Sequence, residues 1–114
     1  MNKYRAKPVT VDNVRFASKA EAARYTELKI LYRSGKISGL ILHPKFEIRW
    51  PTNNQKICSV ILDFQYTDGN GDIVYEDVKS GPTNTAVSKL KRKLCETAYG
   101  IDITLLFVGK LKRY

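Results

Sequence analysis

The alternation of apolar and polar positions divides the 114-residue chain into a short arm, a helix, three extended runs, a second helix and a last extended run. Residues 8 to 16, PVTVDNVRF, alternate about the turn-favouring pair Asp12-Asn13 and predict a small hairpin or extended arm within residues 1–16. Ser18-Lys19-Ala20-Glu21 is a capping-box pattern, and the periodic apolar run behind it predicts a helix to about Arg33, ended by Ser34-Gly35. GLILHPKFEIRW, from Gly39 to Trp50, reads as a first sheet strand in which Pro44 requires an edge or a bulge. KICSVILDFQY (56–66) and IVYEDVK (73–79) are β-branched and aromatic and flank dense turn chemistry from Thr67 to Asp72, which predicts a hairpin of two long strands. After Gly81-Pro82, Val87, Leu90, Leu94 and Ala98 recur at helical spacing and predict a second helix that stops at Gly100. IDITLLFV, Ile101 to Val108, is nearly continuous apolar and predicts a central strand buried on both faces. The crossover helix places the third and last strands parallel in one sheet.

Length and a hydrophobic content of 43% fit one domain spanning 1–114 with enough apolar material for a packed core. Charge changes the picture more. Twenty Lys and Arg against eleven Asp and Glu give +9, and the cations cluster at Lys3, Arg5 and Lys7, at Lys89, Lys91, Arg92 and Lys93, and at Lys110, Lys112 and Arg113. Such clustering points to a polyanionic partner; the plainer alternative is a solvated basic face. No run approaches the ~18–20 apolar residues of a membrane span and MNKYRAKP lacks the apolar core of a secretory signal, so a cytoplasmic protein with no membrane partner is expected. Cys58 and Cys95 form no CxxC pattern and read as free thiols, and His43, the only histidine, excludes mechanisms that need two.

Candidate chemistry centres on the third extended run. Side chains alternate along a strand, so Asp77 and Lys79 share one face and Glu76 and Val78 the other. D-x-K alone is not specific. Asp63, however, interrupts the apolar run SVILDFQY one strand earlier, and two acids on adjacent strands can converge. Buried like charges call for a cation, and oxygen-only donors without nearby histidine or cysteine favour Mg²⁺, with Mn²⁺ as a substitute. The alternative is that Asp63 merely ends its strand and Asp77–Lys79 is a surface pair. Glu21 projects in line with Tyr25, Leu28 and Tyr32, toward the core and opposite Glu27; as the alternative, it only completes the capping box. Beside a metal, the Lys79 ammonium can hold an attacking water and neutralise charge developing on a phosphate. On the second helix Lys91 falls on the Val87, Leu94, Ala98 stripe and either reaches the cleft or snorkels, while Lys89, Arg92 and Lys93 face outward. Backbone N–H groups of Ser80 to Thr83 offer a further phosphate contact.

FASKAEAARYTEL, HPKFE, ILDFQY, YEDVKSG and KLKRKL, in this order, resemble a family of small phage and prophage proteins in the PD-(D/E)XK nuclease superfamily. The resemblance implies an α/β fold with a restriction-endonuclease-like αβββαβ core, a mixed sheet flanked by two helices. It implies a Mg²⁺-dependent endodeoxyribonuclease with Glu21, Asp63, Asp77 and Lys79 catalytic, and no organic cofactor. Metal ligands would be Asp63, Asp77 and the backbone carbonyl of Val78, with Glu21 acting through water. Lys89, Lys91, Arg92, Lys93, Lys3 and Arg5 would contact DNA. Leu62 stands where the superfamily's name has proline, a residue its members can lack, and a one-residue register slip would exchange Asp77 for Glu76. The expected substrate is branched or double-stranded DNA, cut structure-selectively as by Holliday junction resolvases, symmetric cleavage requiring a homodimer. Competing expectations are a nicking, homing or repair nuclease on duplex DNA, and a non-catalytic basic nucleic-acid-binding module.

Overall fold

Asp12 and Asn13 adopt φ of 53° and 65°. Paired positive φ values suit a type I′ turn, whose twist matches its flanking strands, and it joins β1 (Val9–Val11) to β2 (Val14–Phe16) as the expected hairpin. The structure, a computed structural model, describes residues 7–79 and 84–107; Lys3, Arg5, Ser80 to Thr83 and the C-terminal basic cluster lie outside the described residues. The hairpin is tied to α1 (Lys19–Arg33) through Asp12 Oδ2, which accepts hydrogen bonds from Tyr25 Oη at 2.8 Å and from Lys29 Nζ.

Ser18 caps α1 by accepting the Glu21 N–H at 3.2 Å. At the other end Lys36 N–H donates to Leu31 O and Gly35 N–H to Tyr32 O, a Schellman closure made with Gly35 at φ +80°. Gly35→Ala therefore has open space for its methyl but a strained backbone, and should cost about 1 kcal/mol; urea denaturation will measure it, and an unchanged midpoint would contradict the assignment.

The expected first strand is broken in two at His43-Pro44, into β3 (Ser38–Leu42) and β4 (Lys45–Arg49). The next breaks opposite, at Leu62-Asp63, into β5 (Lys56–Ile61) and β6 (Phe64–Thr67). Pro44 has no N–H to continue a ladder, His43 turns the chain with φ 53°, and both strands change sheets together: β3 pairs with β6, and β4 with β5, all antiparallel. Three backbone bonds seal the corner, His43 N–H to Asp63 O (3.0 Å), Leu62 N–H to Pro44 O (3.0 Å) and Asp63 N–H to Glu76 O (3.1 Å).

β6 pairs antiparallel with β7 (Ile73–Lys79), the expected hairpin, and α2 (Ala86–Tyr99) crosses over to β8 (Ile103–Phe107), which lies parallel to β7. The fold is thus mixed α/β, with a mixed sheet in the order β3-β6-β7-β8, the two-stranded β4-β5 extension and two helices. The last strand is not central: among the described residues β8 is the sheet edge and is half-buried, since only β7 covers its flank.

Phe16, Ala22, Tyr25, Leu28, Ile37, Phe64 and Tyr66 form one core under α1. A second, Ile48, Val60, Leu62 and Cys95, lies between β4-β5 and α2. The α2 stripe departs from expectation. Val87 and Leu90 are 64% and 60% exposed, whereas Arg92 and Cys95 are buried. The packed face runs through Ser88, Arg92 and Cys95 because α2 rests on the β4-β5 extension, not squarely on the main sheet; Arg92 therefore faces inward rather than outward. Cys58 and Cys95 are free, and no helix among the described residues is long and apolar enough to cross a membrane.

Candidate catalytic cleft

β7 alternates as a strand must. Glu76 points toward α1, where it is 2% exposed, accepts Arg24 Nε and Nη2 at 2.9 and 2.7 Å, and also accepts the Tyr66 hydroxyl. This closed network pushes Tyr66 up to about 12, through burial first and the Glu76 carboxylate second. Asp77, 4% exposed, points to the opposite face together with Lys79, whose Nζ lies 3.2 Å from Asp77 Oδ2. The register of the D-x-K pair is thereby that of Asp77, with Glu76 occupied elsewhere.

The strand corner carries Asp63 to the same place. Its backbone is held on both sides, and its Oδ2 accepts the Val78 N–H at 2.6 Å. Within a strand a residue's N–H and C=O face the same flank, so the Val78 carbonyl also looks toward Asp63, beyond the last β6-β7 pair, Phe64↔Glu76. Glu21 reaches this point from the first turn of α1. Its carboxylate does not return to Ser18 as a full capping box would; Oε2 instead contacts His43 Nε2 at 2.8 Å.

Donor atoms of Glu21, His43 and Asp63 all lie within 4.8 Å of one another; Asp77 is not one of that group, but its carboxyl neighbours that of Asp63 closely enough for each to affect the other's titration. Burial pushes Asp63 up to about 6, reinforced by the charge of Glu21 and offset in part by the Val78 N–H. Asp77 also rises to about 6, through burial and then the charge of Asp63, with Lys79 opposing. Three acids against one ammonium leave a local excess of negative charge in a chain of net charge +9. That donor set fits a divalent cation, which would neutralise the mutual repulsion of the carboxylates.

The structure thus gathers Glu21, Asp63, Asp77, Lys79 and the Val78 backbone at one place. It corrects the expectation of a donor set without histidine: His43 stands in the cluster, 35% exposed through its side chain. The available signal was the His43-Pro44 pair itself, a strand break whose partner across the ladder is Asp63. If His43 serves as ligand or as orienting partner for Glu21, His43→Ala should weaken Mn²⁺ or Mg²⁺ binding about 10–100-fold, measurable by calorimetry; undiminished affinity would remove His43 from the site.

Asp77 and Lys79 also line a cleft of about 380 Å³. Ser59, Val60 and Ile61 of β5 form one wall and Thr85, Val87, Ser88, Lys91 and Arg92 the other. Of the cations expected to meet DNA, Lys91 and Arg92 line this cleft, while Lys89 and Lys93 are exposed on α2.

Fold and site define a mixed α/β domain in which an acid–histidine–lysine cluster adjoins a cleft with a basic wall. The chain belongs to the DUF1064 family, described as proteins of unknown function, whose model matches residues 1–114. No curated protein and no solved structure matches it.

Proposed function

We propose that this chain is a divalent-metal-dependent endonuclease that hydrolyses phosphodiester bonds in DNA, with a PD-(D/E)XK-type site on a restriction-endonuclease-like core. The observation that carries the reading is the convergence of Glu21, Asp63 and Asp77 from three separate elements, with Lys79 at 3.2 Å from Asp77. A structural salt bridge needs none of the extra acids, and a binding patch would place cations, not carboxylates, at its centre.

Asp63, Asp77 and the Val78 carbonyl would hold Mg²⁺ or Mn²⁺, with His43 and Glu21 beside them. When bound, the cation supplies Lewis-acid polarisation of the scissile phosphate and neutralises the carboxylates. Lys79 Nζ, anchored on Asp77 and 21% exposed through its side chain, is placed to hold the attacking water and to meet charge as it grows on the phosphate. His43 fixes the Glu21 carboxylate. Burial of Asp77 and Glu21 keeps bulk water from competing for these contacts.

Within this class the reading commits to structure-selective cleavage of branched DNA, similar to Holliday junction resolvases. Supporting it, the polar side chains of the cleft other than Asp77 are lysine, arginine and hydroxyls, which address phosphates; no Asn or Gln, the usual readers of adenine edges, lines it among the described residues. The test incubates wild type with linear, flapped and four-way DNA, with and without Mg²⁺. Mg²⁺-dependent cutting of the four-way substrate in preference to linear duplex is expected. Equal cutting of all three would favour a nicking or repair nuclease, and salt-sensitive binding without cutting a non-catalytic binding module.

A further inference from the structure

Among the described residues Arg92 is a buried cation without a counter-charge. It is 7% exposed, yet a guanidinium stays protonated at any pH the fold survives. All eleven acidic side chains lie in the described residues, and none forms an ion pair with it. Its contacts are neutral: Nη1 donates to Ser88 Oγ at 2.6 Å and Nη2 to Asn84 Oδ1. A buried charge met, among the described residues, only by neutral acceptors is costly, and a guanidinium carries five N–H donors, more than these two contacts use.

The surroundings point the same way. Arg92 lines the cleft together with Lys91, Thr85, Ser88 and Ser59. The carboxylate in the cleft, Asp77, is taken by Lys79. This α2 side therefore offers a planar fork, an ammonium and hydroxyls to a compact oxyanion, the complement of a phosphate group.

We infer that Arg92 anchors a phosphate subsite, separate from the Glu21–Asp63–Asp77 cluster, that holds the phosphate next to the scissile one on the same strand. Assigning that phosphate to a nucleic-acid strand rests on the nuclease reading; the binding of phosphate does not. Asn84 and Ser88 pre-orient the fork, and Lys91 adds charge from the neighbouring position.

The test is a titration of ¹⁵N-labelled wild-type protein with inorganic phosphate, following the Arg92 Nε–Hε resonance against chloride at matched ionic strength. A saturable shift with phosphate alone is expected, and it should persist in Asp77→Asn. No shift, or one that chloride reproduces, would overturn the subsite. In the cleavage assay Arg92→Gln should raise KM for DNA about tenfold, the loss of a charge-assisted contact, with kcat little changed and Arg92→Lys intermediate. A folded Arg92→Gln with wild-type KM also overturns it, and should that variant not fold, the wild-type titration decides. Phosphate binding at Arg92 in a protein that cuts no nucleic acid would keep the subsite and discard the nuclease; cutting without the shift would do the reverse.

Discussion

Asp77→Asn should abolish Mg²⁺-dependent cleavage, by at least about 10³-fold in kcat, while leaving the metal-free protein folded and more stable near neutral pH. The amide keeps the size of the carboxyl but removes a charge that burial and Asp63 already disfavour. Its neighbour provides the contrast. Glu76 is bound by Arg24 and Tyr66 on the opposite face, so Glu76→Ala leaves the half-buried Arg24 guanidinium and the Tyr66 hydroxyl without their acceptor and should cost about 2–3 kcal/mol, with the turnover of the remaining folded molecules unaltered. Single-turnover cleavage and thermal denaturation of the two variants separate these outcomes. Loss of activity at Glu76 with retention at Asp77 would reverse the assignment of roles.

The second large effect concerns pH. A carboxyl whose pKa rises on folding, as Asp63 and Asp77 do from 3.8 to about 6, keeps its proton in the folded state after the unfolded chain has released it. Their contribution is therefore most favourable below about pH 4, declines as pH rises, and levels off above about pH 6, a loss on the order of 3 kcal/mol for the pair after allowance for partial solvation. Asp12 and Glu47, both held below the usual carboxylate range by Lys29 and Arg49 respectively, act in the opposite sense. The difference between wild type and an Asp63→Asn, Asp77→Asn variant isolates the pair. That difference should grow between pH 4 and pH 6 without metal, and Mg²⁺ should raise the wild-type Tm at pH 7 but not at pH 4, where it competes with bound protons. A Tm indifferent to Mg²⁺ at every pH would leave the three acids without the proposed cation.

How much of this was legible in the sequence depended on whether the signal was local. The Asp12-Asn13 turn, the Ser18 cap, the inner part of the expected hairpin (β6 on β7) and the parallel crossover all follow from neighbouring residues and short-range patterns, and the fold has them, whereas Lys56–Ile61 leaves that hairpin to pair with β4. Asp63, Asp77 and Lys79 could be paired because period-2 alternation fixes which residues share a face. What failed depended on tertiary placement. Val87 and Leu90 carry a helical apolar rhythm but sit where α2 overhangs, so periodicity pointed to the wrong stripe and put Arg92 outside. The apolar run 101–108 predicted a central strand because hydropathy reports cover on the faces and says nothing of neighbours at the flanks. His43 has no sequence neighbour that marks it as a site residue, since its approach to Glu21 and Asp63 depends on both strands bending at one level.

That shared bend governs where the chain tolerates changes in length. In the turn from Trp50 to Gln55, closed by Trp50 N–H to Gln55 O and Asn54 N–H to Trp50 O, an added residue lengthens only an exposed tip. At Leu62-Asp63 the same insertion would invert side-chain parity across the corner, sending Phe64 toward the cation site and a carboxylate into the apolar interior. Natural variation in this hairpin should therefore gather at its far end, and engineered linkers or tags belong there rather than at the joint.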